Sequence, residues 1–383
     1  MSEIFFPHIP DASDSQIDWS AIETAYHDWL APLQCTEQDP AWHAEGDVLT
    51  HTKMACETLV RNERWQQLSS RNRNVLFMAT LMHDIGKPLC TKTENGKIVS
   101  PMHGIKGAQL ARSILWRQFG MSGDNERLKM REEIVSLIRF HSLPYRFWDR
   151  PNPFFTVVNA SINVRCDHLA LLSEADLLGR IADNCDESLN VLDMFRQYAV
   201  ENDCLDKPYP FKSEHSRYAY FSGILEHPAE ELYDDTWGEI VMMSGLPASG
   251  KDTYIAKHLS HMPVISLDQL RQTMRISWYD DQSPVIEAAR EMAKNHMRKR
   301  EPFVLNATNL SLQMRQSWLK LFRSYNARIR IVYLETTWEL LLLRNKKRPS
   351  PVDESAIFKM LDKLEPPTLA EAHDIDWVST QLS

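Results

Sequence analysis

No stretch of this chain is apolar for long enough to cross a membrane. The longest runs, such as Leu340 to Leu343, fall far short of the roughly 20 residues a spanning helix needs. The N-terminus does not read as a signal peptide either, because Met1 to Asp14 is acidic and holds Pro7 and Pro10. The six cysteines (Cys35, Cys56, Cys90, Cys166, Cys185, Cys204) contain no CxxC spacing and are too sparse for a disulfide scaffold, so reduced thiols in a cytoplasm are expected. Internal repeats and low-complexity segments are missing, and residues from about 15 to 200 contain no convincing alternating strand.

An excess of positive charge is missing as well. The net charge is −9, and it is unevenly spread: residues 1–236 carry 23 Lys and Arg against 35 Asp and Glu, the remainder 20 against 17. An acidic half is unsuited to coating a nucleic-acid backbone, which takes many phosphate contacts. Recognition of a strand end takes only a few, and the C-terminal half is better placed to hold a polyanion.

At 383 residues two domains are expected. Apolar residues recur at three- and four-residue spacing in 47–61, 74–83, 105–119, 130–141 and 168–199, which predicts helices. Residues 143–163, with Pro144, Pro151 and Pro153, read as a crossing loop. From Glu239 onward short apolar strands alternate with helices: Ile240–Met243, Val264–Ile265, Phe303–Leu305 and Ile329–Leu334. The expected architecture is an all-α domain over 1–204, a linker over 205–236 with Pro208, Pro210 and Pro228, and an α/β domain with a parallel sheet over 237–383.

In the helical half, polar residues sit on apolar faces. His51 continues the Val48 and Ala55 stripe, Asp176 continues Leu169 and Leu172, and His83-Asp84 ends the run Val75 to Met82. A lone histidine on such a face is usually a core residue, and Asp176 can pair with Arg180 one turn on. Their joint occurrence favours a divalent metal held by two imidazoles and two carboxylates, since a buried carboxylate needs a cation. The helix is expected to stop at Gly86, placing Lys87 beside the metal, where an ammonium suits a substrate phosphate.

Leu81-Met82-His83-Asp84-Ile85-Gly86-Lys87 resembles the signature of the HD phosphohydrolase superfamily. Glu45 to Thr52 and Ala175 to Arg180 resemble its flanking motifs, in the variants attached to bacterial CCA-adding tRNA nucleotidyltransferases. Those act on 2′,3′-cyclic phosphates and 2′-phosphates of RNA ends. The resemblance implies an HD-type helical domain with His51, His83, Asp84 and Asp176 as metal ligands and Lys87 near the phosphate. His103 and His141 resemble further pocket histidines that contact phosphate or hold a second metal. His43 is expected at the surface or as a cap.

Gly245-Leu246-Pro247-Ala248-Ser249-Gly250-Lys251, between a buried strand and a helix, has the setting of a phosphate-binding loop. Backbone N–H groups from Gly245 through Ser249 and Gly250 cradle the β-phosphate, and Lys251 bridges the β- and γ-phosphates. Asp252 stands where Ser or Thr usually meets magnesium, and Thr253 follows as a candidate α-phosphate contact. Asp268 and Arg271 share a helix face beside the loop. The carboxylate is suited to take a proton from an attacking hydroxyl and the guanidinium to hold an acceptor phosphate. Arg344 and Arg348 lie one turn apart in a basic segment that reads either as a solvated face or as a lid over the transferred phosphoryl group.

These residues, with Asn306 to Asn309, resemble the 5′-hydroxyl polynucleotide kinases of end-repair systems. The resemblance implies Asp268 as general base, Arg271 on the acceptor 3′-phosphate, Arg344 and Arg348 on the donor triphosphate, and Thr308 and Asn309 near the acceptor. Asn306 stands where many such enzymes place an Asp. The two halves in this order resemble the bifunctional HD-Pnk family. That implies RNA or DNA ends bearing a 5′-OH and a 2′,3′-cyclic or 2′-phosphate as substrates. The implied cofactors are Mg²⁺ with ATP or another NTP at the kinase and a transition metal such as Mn²⁺, Ni²⁺, Co²⁺ or Zn²⁺ at the HD site. A separate ligase is the implied partner. The competing reading is a nucleotide phosphohydrolase fused to a small-molecule (metabolite) kinase; Arg298, Lys299, Arg300 and Arg323 favour a polymer. A third reading, a regulatory protein that only binds nucleotide, sits poorly with the intact His51, His83, Asp84 and Asp176 set.

Overall fold

The computed structural model describes residues 6–11, 16–182 and 185–380; much of the Met1–Asp14 segment therefore lies outside the described residues. The chain forms two compact units, one running through Met121 and resuming at Lys129 to Pro210, the other made of Ser122–Leu128 and Phe211 onward. Among the described residues no helix is long and apolar enough to cross a membrane.

The first unit is helical. Its centre is the helix Ser70–Met82, opened by the Ser69 hydroxyl accepting from the Asn72 amide and buried at every position from Asn74 to Met82. A helix apolar on all sides belongs in the middle of a core, and this one delivers His83 and Asp84 into the interior. The helix Val48–Arg61, capped by Asp47, brings His51 alongside. The helix Cys166–Leu178, also buried around most of its circumference, brings Asp176. Gly86 does not end a helix in a left-handed turn: the helix already ends at Met82, and Gly86 keeps a right-handed conformation. Its lack of a side chain serves close packing, because a Cβ there would run into the His103 carbonyl and the Gly107 amide. The residues from 143 to 163 are not one loop, since the helix Pro153–Ser161 lies within them, started by Asn152 and by a proline at its first position.

This unit also holds a hairpin absent from the sequence expectation. Strands β1 (Lys92–Glu94) and β2 (Lys97–Val99) pair antiparallel around Asn95 and Gly96, both at positive φ (50° and 74°). Asn-Gly is the dipeptide a two-residue hairpin turn requires. The flanking strands are three residues long and largely exposed, so they leave little apolar alternation to read.

The second unit is a parallel sheet in the order β4-β5-β3-β6-β7, five-stranded among the described residues, with β3 Trp237–Ser244, β4 Val264–Ser266, β5 Phe303–Asn306, β6 Ala327–Glu335 and β7 Asp374–Ser379. Ile240 and Met242 of β3 pack into one core cluster, Val241 and Met243 into the other. Both faces are covered, which is why β3 reads as an unbroken apolar run. The four expected strands all form. The edge strand β7 is additional to them: Asp374 and Asp376 interrupt its apolar pattern, and they meet Arg328 (2.8 Å) and Arg330 (3.1 Å) of β6. The stretch read as a linker contains the helix Glu214–Phe221, whose Tyr218 is buried in the core of this second unit.

Arg315, fully buried, holds the loop after β5. It forms a bidentate pair with Glu371 and donates to the carbonyls of Asn309, Leu310 and Glu365. Removing one member of such a pair strands the other charge in the interior. Arg315→Ala is expected to cost about 3–5 kcal/mol, read as an earlier calorimetric transition; an unmoved transition would mean the loop is held by other contacts.

Candidate active sites

In the helical unit His51, His83, Asp84, Asp176, His103 and His141 converge. His83, His103 and His141 share one local device: each Nδ1 lies 2.7 Å from the backbone carbonyl three residues earlier, on Thr80, Ser100 and Ile138. A carbonyl can only accept, so Nδ1 carries a proton in each ring and Nε2 is the nitrogen turned inward. His51 Nδ1 faces Glu45 Oε1 at 3.0 Å, leaving its Nε2 inward too. The Nε2 atoms of His51 and His83 are then 3.3 Å apart, and those of His103 and His141 3.2 Å apart. Two ring nitrogens facing one another at these distances need a shared proton or a cation between them.

The carboxylates sharpen the point. Asp176 Oδ1 is 3.1 Å from His51 Nε2, and Asp84 Oδ2 is 3.2 Å from His83 Nε2. Asp84 Oδ1 points the other way, 3.5 Å from His103 and 4.0 Å from His141; it is buried and has no hydrogen-bond partner among the described residues. Burial opposes ionisation of Asp84, but Lys87 at 2.7 Å and His83 outweigh it and hold the carboxyl well below its usual range. Burial likewise opposes ionisation of Asp176, and Arg180 at 2.6 Å with His51 and His83 overcomes it. The His141 pKa is pushed down to about 3 by burial, then by His103 and His83, so its ring is neutral. Imidazole nitrogens and ionised carboxylates are the donor set a divalent metal takes. Two donor groups result, His51–His83–Asp176 and Asp84–His103–His141, each with its ligand atoms within 4.8 Å of one another. The Asp84 carboxylate faces both.

Lys87 is paired with Asp84 and donates to Gln38 Oε1 at 2.6 Å. The expectation for His43 is corrected: its ring centroid lies 4.7 Å from that of His51, and its Nδ1 2.8 Å from Glu45, so it walls the site. Sequence reasoning misses Glu45 as a functional residue. It faces both histidines and accepts from the Ile181 amide, joining the start of the His51 helix to the end of the Asp176 helix. Tyr145, which donates to Asp176 Oδ2 at 3.1 Å, escapes it too, because the proline-rich segment carrying this residue has no periodic signal.

In the second unit the loop after β3 has three left-handed residues, Gly245 (φ 144°), Ala248 (φ 64°) and Gly250 (φ 103°). Only glycine fits at Gly245, where a Cβ would meet the Leu334 carbonyl. Such a path turns successive N–H groups inward to make an anion cradle at the start of the helix Lys251–His258. The Lys251 ammonium folds back over the loop, donating to the carbonyls of Gly245 (2.9 Å) and Leu246 (2.8 Å). Burial pushes its pKa down to about 8, against the pull of Asp252 and Asp268. Ser249 is buried and its hydroxyl has no partner among the described residues. Asp252 Oδ1 accepts from Asn306 Nδ2 at 2.7 Å, so the two departures from the usual loop pattern sit together. Thr253 is exposed on the first turn of the same helix.

Asp268 and Arg271 pair at 2.6 Å on the helix Leu267–Met274, and Arg348 lies 3.9 Å from the other Asp268 oxygen. Arg344 donates to the Thr380 hydroxyl at 3.0 Å, and that hydroxyl in turn reaches the Ser249 carbonyl at 3.1 Å. Arg344 is therefore at the phosphate loop and Arg348 beside Asp268, rather than on a remote solvated face. Asn309 differs from expectation: it is buried and spends its amide on the Met243 carbonyl, holding the loop after β5 against β3.

Residues 48–187 match the family model of the HD domain, and residues 240–367 match that of an AAA domain. The chain thus joins an HD domain to an AAA domain that contains the phosphate loop. Among solved structures, a "putative kinase" from Chloroflexus aurantiacus J-10-fl is 15% identical with a TM-score of 0.32, over 38% of this chain and 86% of that one. A gluconokinase from Sinorhizobium meliloti 1021 is 22% identical with a TM-score of 0.29, over 37% of this chain and 82% of that one.

Asp84→Ala removes the carboxylate that faces both donor groups of the HD domain. It is expected to bring divalent-metal retention after gel filtration to background by mass spectrometry, with the helical circular dichroism kept. At the P-loop, a bound triphosphate favours the charged form of Lys251 and raises its pKa above the free value of about 8. Affinity is then greatest below pH 8 and falls as pH rises, by up to about tenfold per unit. Calorimetric titration with a non-hydrolysable ATP analogue in buffers of different ionisation enthalpy should show proton uptake that grows as pH rises through 8.

Proposed function

We propose that the protein heals nucleic-acid ends, with a phosphoesterase in the HD domain and a 5′-hydroxyl polynucleotide kinase in the P-loop domain. The observation carrying this reading is the Asp268–Arg271 pair beside the phosphate loop, with Arg348 on its other side. A carboxylate next to the donor phosphates suits a hydroxyl acceptor, and a guanidinium fixed to it suits an acceptor that itself bears phosphate. The 5′-oxygen attacks the γ-phosphorus, Asp268 takes the hydroxyl proton, and the nucleoside diphosphate leaves. Arg344, Arg348 and Lys251 neutralise charge on the phosphates, and Asp252 with Asn306 is the candidate contact for Mg²⁺, directly or through water.

In the HD domain, His51, His83, Asp84 and Asp176 would hold a divalent transition metal, with His103 and His141 completing the second donor group. A metal there acidifies water and draws charge from a phosphoryl oxygen. Lys87 and Arg180 supply positive charge for the oxygens of a terminal phosphate. The reaction is addition of water to a 2′,3′-cyclic phosphate with cleavage of the P–O2′ bond, leaving a 3′-phosphate, and hydrolysis of a 2′-phosphate. Repaired ends of this kind would pass to a separate ligase.

The test is an oligonucleotide carrying a 5′-hydroxyl and a 2′,3′-cyclic phosphate, incubated with ATP, Mg²⁺ and Mn²⁺ and resolved by mass. Both ends should change. Asp268→Ala should lose about 10²–10⁴-fold in 5′-phosphorylation and keep the phosphoesterase, and Asp84→Ala should do the reverse. ATP consumed on free nucleosides or sugars, with both oligonucleotide ends untouched, would install the metabolite-kinase reading instead.

A further inference from the structure

Between the helices Leu267–Met274 and Ser283–Arg298 the chain makes a turn that leaves two large aromatics in solvent, Trp278 at 49% and Tyr279 at 93% exposure. The turn is internally braced: the Ser277 amide donates to Asp280 Oδ2 at 2.7 Å, and Gln282 Nε2 donates to the carbonyls of Ser277 and Asp280, both at 2.8 Å. The other end of that amide, Gln282 Oε1, accepts from Arg271 Nε at 2.7 Å. Arg271 is thereby fixed with its guanidinium carbon 3.6 Å from the centroid of the Trp278 ring, while its Nη1 holds Asp268. Asp268, Arg271 and Trp278 form one continuous run.

We propose that Trp278 is the stacking platform for the unpaired nucleobase at the 5′ end of the kinase acceptor, an inference that rests on the polynucleotide reading above. An acceptor whose 5′-oxygen reaches Asp268 brings its first base within one nucleotide of that carboxylate, and the half-exposed indole is the flat apolar surface there. Stacking on an aromatic ring tolerates any base, since every base has a π-face. It also requires that the base be free of a duplex, so the surface fits a single-stranded end. Arg271 adds a cationic plane on the same ring, the combination used where single strands are held without sequence preference.

The competing role for Trp278 is only to position Arg271, and one pair of acceptors separates the two. Steady-state phosphorylation is measured on a 5′-hydroxyl oligonucleotide and on the same oligonucleotide with an abasic 5′-terminal residue. For the wild-type protein the abasic acceptor should have a KM about tenfold higher, within the range of one lost base stack. Trp278→Ala should raise the KM of the ordinary acceptor to the abasic level and erase the difference between them, while Trp278→Phe keeps most of it. The KM for ATP, set at the phosphate loop, reports whether the variant has kept its fold. A positioning role would make Trp278→Ala weaken both acceptors equally and leave the abasic penalty intact, which overturns the proposal. A wild-type protein indifferent to the missing base overturns it as well. Wild-type protein that phosphorylates no oligonucleotide, but does phosphorylate a small acceptor, overturns the polynucleotide reading along with it.

Discussion

The helical unit depends on one buried negative charge. Asp84 is almost completely enclosed and yet ionised, a condition that costs several kcal/mol unless cations surround it. Lys87 satisfies one oxygen, and the other is turned toward His103 and His141. The rest of the site follows from that. The three Nδ1–carbonyl contacts fix which nitrogen of His83, His103 and His141 faces inward, and Glu45 and Arg180 back His51 and Asp176 from outside. Converging lone pairs and carboxylates are held apart by a packed core that cannot relax around them. A divalent cation taken from solution would relieve them, and metal binding and ordering of the site would then be one free-energy problem.

The P-loop domain poses the same problem with the sign reversed. Its loop turns N–H groups inward, and Lys251 folds back on two carbonyls of the loop itself. Burial of the ammonium lowers its pKa, a sign that the charge is poorly compensated in the free protein. A triphosphate supplies what is missing. Each domain is thus built around a charge deficit that its ligand repairs, an anion trap in one and a cation trap in the other.

The legible parts of the sequence are those governed by burial. Val75 to Met82 announces a core helix, and His83-Asp84 at its end stands out because polar groups there need a reason. Ile240 to Met243 followed by Gly245 and Gly250 announces a strand entering a phosphate loop, because only a fully covered strand is apolar at every position. The parts that stay hidden are held by pairs distant in sequence or by exposed turns. Strand β7 is an edge strand fixed by its aspartates on β6 arginines, and Glu45 acquires its role only when Ile181, 136 residues on, folds back to it. Gly86 stands out in the sequence for one reason and matters in the fold for another: local chemistry suggests a cap, and the neighbour that forbids a side chain is a helix not adjacent in sequence.

The uneven charge of the chain fits end recognition better than strand coating. The half containing the HD domain carries a net −12, yet its site concentrates Lys87 and Arg180 around carboxylates that would be metal-bound. Under the proposed reading a polyanion would gain little from this acidic half beyond its last phosphate. The half with the P-loop carries +3, and its exposed turn offers an aromatic face beside a guanidinium rather than a long basic stripe. Few phosphate contacts mean a shallow salt dependence, so affinity for an end would come mainly from stacking and from ligation at the reacting phosphate. Under the proposed end-healing reading, selectivity for termini would come from the buried HD-domain carboxylates and histidines, which leave no path for an internal phosphodiester.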